Sequence, residues 1–267
     1  MIVVKVGGSE GIDYEALCDD AAAIIRAGEQ LVIVHGGSHQ TNVLSEQLGH
    51  PARFITSPSG HTSRRTDRRT LEIFQMACRG VLNQRIVEGL VRRGIGAVGL
   101  SGLDGRLWEG TRKSAIRAVE DGRIMVIRDD YTGTVDHVNV RLIRLLLDGG
   151  FIPVISPPAV SAEGEAINVD ADRAAARTAA ALRADTLLLL TNVPGLMREF
   201  PDESTLVPTI RTAEIGEFER FAEGRMKKKI LGAREELESG VRRVVIAGAR
   251  KAGAISGALA GAGTVIS

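Results

Sequence analysis

The feature that most constrains this chain is an alternation that runs almost its whole length. Short, mostly apolar runs are followed by helical stretches and then by further apolar runs. Residues 2–4, 31–34, 97–100, 152–155, 186–190, 244–247 and 264–266 are the apolar runs. Segments 14–27, 41–48, 67–93, 138–147, 170–182 and 226–238 have helical spacing. A strand that is apolar on both faces needs cover on both faces, and helices placed between successive strands supply it. The pattern predicts an α/β protein, a three-layer αβα sandwich with a mainly parallel central sheet. Gly28, Gly49 and Gly149-Gly150 follow predicted helix ends, where a residue tolerating positive φ closes the last turn. Within 67–93 a break is expected near Gly80.

Two segments interrupt the rhythm. Residues 51–66, with Pro51, Pro58, Gly60 and several Ser and Thr, read as an exposed hairpin or lid. Residues 105–137 read as short antiparallel strands with Asp121-Gly122 at a turn. Pro157-Pro158 marks the expected boundary between two lobes, about 1–157 and 158–267, hinged over a cleft.

Composition narrows the function classes. With only 3% aromatic residues, the core of this 267-residue chain must be built from Ala, Val, Ile and Leu. A formal net charge of +1 excludes a strongly basic nucleic-acid binder. No run approaches the roughly 18 apolar residues of a membrane span. The chain opens on a strand and not on a leader, so no membrane partner and a cytoplasmic location are expected. Cys18 and Cys78 fall inside predicted helices and read as buried, reduced thiols. His35, His39, His50, His61 and His137 form no metal-ligand spacing, so no metal site is expected, and His35 reads as a hydrogen-bonded structural residue.

Ligands of open parallel sheets bind beyond the carboxyl ends of the strands. Four such ends are polar or glycine-rich: Lys5-Val6-Gly7-Gly8-Ser9, His35-Gly36-Gly37-Ser38, Ser101-Gly102-Leu103-Asp104-Gly105 and Thr191-Asn192-Val193-Pro194-Gly195. Glycine lets backbone N–H groups approach an anion, and a following helix N-terminus adds a favourable dipole. Each pair alone also suits a plain tight turn. Two pairs on one rim, with a lysine in the strand end beside one of them, favour a phosphate or carboxylate ligand. No G-x-x-x-x-G-K-[ST] stretch and no G-x-G-x-x-G after the first strand is present, so neither common nucleotide loop is in use. Lys5 could instead extend its stem to solvent. Asn168 to Asp172 could serve only as a helix cap, and Lys227-Lys228-Lys229 could be a solvated face.

Taken in order, these pieces resemble the amino acid kinase family, and within it the acylglutamate-kinase branch. The resemblance rests on Lys5-Val6-Gly7-Gly8, His35-Gly36-Gly37, Arg64 in Arg64-Arg65-Thr66-Asp67, Gly99-Leu100-Ser101-Gly102 with Asp104-Gly105, Asn168 to Asp172, Thr191 to Gly195, and Gly224 to Lys229. Ser57-Pro58-Ser59-Gly60 leading into Ser63 to Asp67, and Asp130-Tyr131-Thr132-Gly133-Thr134-Val135, are similar to the branch that phosphorylates α-aminoadipate attached to the amino-group carrier protein LysW in lysine biosynthesis. Asp170 and Arg225 depart from common acetylglutamate kinase residues.

The resemblance implies a carbamate kinase-like fold and an ATP-dependent phosphotransferase acting on a carboxylate. It implies that Lys5 and Lys229 neutralise charge on the transferred phosphoryl group while Asp172 orients them. Gly7, Gly8, Gly36 and Gly37 would supply N–H groups to phosphates and to the acceptor. Arg64 and Asn168 would hold the substrate, and Thr191, Asn192 and Gly195 would border ATP. Mg2+ would be held mainly by the phosphates, and a homodimer is implied. The clustered Arg64, Arg65, Arg68 and Arg69 would attract an acidic carrier, or form only a solvated helix start. Free N-acetylglutamate as substrate, carrier-linked glutamate, and a catalytically silent sensor on the same fold stay open at this point.

Overall fold

A computed structural model of the chain describes residues 1–58, 60, 62–120, 123–222 and 224–267. The first elements are β1 (Ile2–Val6), α1 (Tyr14–Arg26), β2 (Leu31–His35) and α2 (Ser38–Gln47). A hairpin of β3 (Phe54–Thr56) and β4 (Thr62–Arg64) leads into α3 (Arg68–Gln75), a π-helical segment (Met76–Asn83) and α4 (Gln84–Arg92). There follow β5 (Ala97–Ser101), β6 (Trp108–Gly110), β7 (Ile116–Glu120), β8 (Arg123–Ile127), β9 (His137–Val138), α5 (Val140–Asp148) and β10 (Ile152–Ser156). The remainder comprises β11 (Ala159–Ser161), β12 (Ala166–Ile167), α6 (Ala171–Leu182), β13 (Thr186–Thr191) and β14 (Thr209–Ile210). It closes with α7 (Ile215–Phe218), α8 (Gly224–Glu238), β15 (Arg243–Gly248), α9 (Ala254–Leu259) and β16 (Thr264–Ile266).

Among the described residues, eight strands form the central sheet in the order β14-β16-β15-β13-β1-β2-β10-β5. Neighbouring strands run parallel except β15 and β16. β1 lies between β2 and β13, so the first strand of the chain joins its two halves. Side chains alternate across a strand with period two. Ile2, Val4 and Val6 pack with Leu17, Ile86 and Ile255, on the side of α1, α4 and α9. Val3 packs with Ala174, Ala175 and Ile230, on the side of α6 and α8. The same alternation carries Lys5 to the α6–α8 side and His35, two residues past Ile33, to the α1–α4 side. Asp20, a buried carboxylate of α1, accepts the N–H groups of Ile255 and Ser256 at 2.6 and 3.0 Å and so caps α9 from the other end of the chain.

The remaining strands build two small sheets, β12-β11-β6-β9 and β4-β3-β7-β8. The strands expected within 105–137 are therefore present but divided between sheets, and β6 also pairs in parallel with β11. The Asp121-Gly122 turn, and Ser59 and His61 of the 51–66 hairpin, lie outside the described residues. The break expected near Gly80 is replaced by a continuous helix, whose wide π turns absorb the glycine without interruption. β5 is half-buried over most of its length and not fully covered, because it ends the strand order. β11, β12 and β14 are too short to show periodicity, which is why the sequence does not announce them. No described helix is long and apolar enough to cross a membrane.

Candidate active site

Lys5 projects from the end of β1 toward the first turn of α6. That turn begins with Asp170, whose carboxylate accepts the N–H groups of Asp172 and Arg173 at 2.9 and 3.1 Å. Capping is therefore the work of Asp170, and Asp172 is left for another task. Its Oδ1 lies 2.6 Å from Lys5 Nζ, and its Oδ2 accepts a hydrogen bond from Lys229 Nζ of α8. Lys5 and Lys229 are both buried. Lys227 and Lys228 are exposed, so the basic run is a solvated face with a single inward member.

Burial by itself would raise the Asp172 pKa, but the charges of Lys5 and Lys229 outweigh it and hold the carboxyl well below the usual carboxylate range. Burial and the like charge of Lys5 lower the Lys229 pKa, against the pull of Asp172. Two ammonium groups on one carboxylate leave the cluster net positive. A buried positive centre is worth far more to an arriving anion than the same charge in water.

The glycine loops meet beside the start of α6, a β-carbon on Gly36 falling 3.7 Å from Ala171 Cβ. A β-carbon on Gly8 would lie 2.4 Å from Gly37 N and 2.7 Å from Ser38 N, so the two loops touch backbone to backbone. Of the four glycines expected to donate N–H groups, two are already committed. Gly7 N–H donates to Leu190 O and Gly36 N–H to Val6 O, each at 3.1 Å. The expectation that Gly7 and Gly36 offer N–H groups to a ligand is therefore not met by the backbone as it stands, and the N–H groups left over are those of Gly8 and Gly37. Among the described residues, neither of those two N–H groups has an acceptor within the chain. Gly37 also starts α2, so the helix dipole points at the same spot.

Arg64 and Asn168 lie between α2 and the small sheets. Arg64 Nη2 donates to Asn42 Oδ1 at 2.6 Å and to Ser38 O at 3.2 Å, which sets the guanidinium beside the start of α2. Its planar fork stacks over the Phe54 ring. Asn168 Nδ2 donates to Thr66 Oγ1 at 2.9 Å. Thr66 is itself buried and gives its N–H to the buried Asp130 carboxylate. Thr66 and Asp130 carry no sequence signal of a role on this wall; the only hint was their place inside motifs noted for other residues.

On the other side of β1, Thr191 ends β13 and Asn192 follows it, with Thr191 Oγ1 donating to Asn192 Oδ1 at 3.3 Å. At Gly195 a β-carbon would meet Thr264 Oγ1 at 2.6 Å and Leu206 at 2.8 Å, so packing accounts for that glycine. The basic cluster is partly neutralised. Arg65 makes a two-pronged pair with Asp129, at 3.0 and 2.8 Å, and Arg68 and Arg69 share Glu72. Cys18 and Cys78 are buried, free thiols. Among the described residues, no group of three or more His, Cys, Asp and Glu is arranged to hold a metal ion.

The chain and its fold are matched by known proteins. Residues 1–248 fit the model of the amino acid kinase family, and the chain belongs to that family. It is 59% identical over 267 residues to the LysW-aminoadipate kinase of Deinococcus radiodurans, covering 100% of this chain and 91% of that one. It is 53% identical over 268 residues to the LysW-aminoadipate kinase of Thermus thermophilus, covering 100% of both. Among solved structures, N-acetylglutamate synthase from Neisseria gonorrhoeae, complexed with coenzyme A and N-acetyl-glutamate, has a TM-score of 0.80 at 27% identity. That match covers 100% of this chain and 59% of the synthase, so this chain spans less than two thirds of it.

Proposed function

We propose that this protein transfers the γ-phosphoryl group of ATP to the distal carboxylate of α-aminoadipate carried on LysW, giving an acyl phosphate in lysine biosynthesis. The end-to-end likeness to two kinases of that name carries the substrate, and the Lys5–Asp172–Lys229 cluster carries the chemistry. An oxygen of the acceptor carboxylate bonds to the γ-phosphorus. The bond from that phosphorus to the β–γ bridging oxygen breaks, and its electron pair leaves on ADP. An ionised carboxylate is already a nucleophile, so no general base is required. The barrier is the approach of two anions, and lowering it calls for positioning and positive charge.

In this reading Lys5 and Lys229 offset the charge that builds on the phosphoryl oxygens, while Asp172 holds both ammonium groups in place. The Gly8 and Gly37 N–H groups point at the same oxygens, and Gly7 and Gly36 allow the backbone to come close. Arg64 binds the substrate's other carboxylate, for which a planar guanidinium is suited, and Asn168 bonds near the carrier linkage. Thr191, Asn192 and Gly195 border the nucleotide. Asp172 has both oxygens engaged by lysines and is not a spare ligand, so Mg2+ would be held by phosphate oxygens and water. Bound there, the ion would supply further charge neutralisation.

A homodimer through the N-terminal half belongs to the same proposal. Val81, Val91, Leu145 and Phe151 are exposed apolar side chains on the elements around the sheet edge at β5. Sedimentation of the purified protein tests it. The substrate is tested by an ATP-consumption assay on N-acetylglutamate, free aminoadipate, and carrier-linked aminoadipate and glutamate. Turnover on carrier-linked aminoadipate is expected; robust turnover on N-acetylglutamate alone would move the enzyme to the acetylglutamate kinase reading.

A further inference from the structure

The peptide joining Gly36 and Gly37 sits between two anchored groups, Gly36 N–H on Val6 O at 3.1 Å and Gly37 O accepting from Thr41 N–H and Oγ1 at 2.9 and 2.7 Å. With no side chain on either residue, the plane can rotate so that its carbonyl and not its N–H faces the rim. A trans peptide holds C=O and N–H pointing opposite ways. Whatever fixes the Gly36 carbonyl therefore decides whether an anion at the rim meets a donor or a repelling oxygen.

That carbonyl is held from inside the protein. His35 Nδ1 lies 2.9 Å from Gly36 O. A carbonyl only accepts, so Nδ1 carries a proton. Burial, helped by the charges of Lys5 and Arg79 and opposed by this hydrogen bond, pushes the ring's pKa down to about 4. The ring is neutral, and its Nε2 presents a lone pair to Asn83 Nδ2 at 3.1 Å. The Asn83 amide is oriented in turn. Arg79, which has donors only, gives Nη1–H to Asn83 Oδ1 at 3.0 Å and Nη2–H to Gly99 O at 2.9 Å. Asn83 Nδ2 also donates to Val154 O at 2.9 Å. Starting from the guanidinium, every tautomer and amide orientation in the run follows. His35 and Asn83 are fully buried, so water does not compete. The π-helical segment supplies Arg79 and Asn83 together with Cys78, which packs directly behind Gly37.

We propose that His35 and Asn83 are positioning residues, and that the run Arg79–Asn83–His35–Gly36 fixes the Gly36–Gly37 peptide so that Gly37 N–H faces the anion at the rim. The proposal rests on the reading that this anion is the phosphoryl group in transfer or its acceptor. Neither side chain touches substrate; both act through the peptide.

The test uses two substitutions that keep different ends of the ring. His35→Asn retains an N–H donor where Nδ1 stands, and His35→Gln retains one only near Nε2. His35→Gln is expected to lower kcat roughly 10- to 100-fold with KM for ATP changed less than about threefold, and His35→Asn to recover most of the loss. Equal kcat in the two variants, or wild-type kcat in His35→Gln, overturns the proposal. A second measurement needs no variant to fold and no turnover. Nitrogen NMR shifts of the wild-type His35 ring should show Nδ1 protonated and Nε2 bare across about pH 6 to 9. A proton on Nε2 overturns the relay. Failure of the wild-type protein to turn over any acceptor would instead sink the kinase reading, with the ring measurement still deciding the relay.

Discussion

A β-carbon built on Gly37 would lie 2.4 Å from Cys78 Sγ, so a thiol closes the glycine rim from behind. The next contacts are looser, with Leu82 Cδ1 at 3.3 Å. Burial pushes the thiol's pKa up to about 12, which keeps it a neutral packing group. Gly37→Ala is expected to cost about 1–3 kcal/mol of stability through overpacking. Cys78→Ala in the same protein should relieve much of that, with a coupling of at least about 1 kcal/mol in a double-mutant cycle. Additive costs across the four proteins, measured by denaturant unfolding, would show that the two residues do not meet.

Because Asp172 is the counter-ion of both lysines, three substitutions at the site should differ in kind. Lys5→Met and Lys229→Met are each expected to cut kcat by at least about 100-fold, with a much smaller change in KM for ATP. Asp172→Asn leaves two buried ammonium groups without a partner and should cost on the order of 3 kcal/mol, more than either lysine change. The Asp172 pKa is lowered on folding from its ordinary 3.8. Its contribution is therefore present above that value and drains as pH falls toward the folded pKa. Thermal unfolding of the set against pH checks both statements; Asp172→Asn as stable as the wild type would remove the shared counter-ion.

Glu236 lies two helical turns beyond Lys229 on α8 and is 8% exposed. Burial raises its pKa from 4.5 to about 7 despite the nearby charge of Arg177. A raised folded-state pKa means stability that is full below the unfolded value and lost as pH rises through the folded one. Wild-type stability should decline between those two values. Glu236→Gln should flatten the decline and be more stable at about pH 8, by up to roughly 3 kcal/mol. Parallel pH–stability curves for the two proteins would contradict this.

The basic rim yields a prediction about the carrier. Asp129 ties down Arg65, and Glu72 is shared by Arg68 and Arg69. Asp129→Asn should release the Arg65 charge and lower KM for carrier-linked acceptor about two- to fivefold at low salt. Reversing charge at Arg68 and Arg69 together should raise it by roughly tenfold, and both effects should fade as salt screens them. Identical shifts with a free, small acceptor would place the effect in the acceptor pocket and not at a docking surface.

How far the sequence could be read depended on the range of the physics involved. Runs such as residues 31–34 and 186–190 state their burial locally, and the parallel sheet followed from them. Lys5, Asp172 and Lys229 were legible as a cluster only through family resemblance, since an ion pair between β1 and α6 leaves no mark on either segment. The π turn at Met76–Asn83 is indistinguishable in sequence from a break, because one glycine in a helix looks the same in both cases. Sequence says where Gly7 and Gly36 sit and not where their N–H groups are spent. His35 was correctly read as a hydrogen-bonded structural residue, yet what it holds depended on Asn83, whose facing position is set by tertiary packing.

The position of β1 in the middle of the sheet has a consequence for how the chain is made. Its partner on one side, β2, follows almost at once, but its partner on the other is β13, ending at Thr191. At roughly 5–20 residues per second, synthesis leaves that edge of β1 without its strand for on the order of ten seconds or more. Asp20 waits longer still, because the N–H groups that satisfy its carboxylate belong to Ile255 and Ser256. The strand that carries Lys5 is translated long before β13 and is completed late, so the Lys5–Asp172–Lys229 cluster closes only after α8 has left the ribosome.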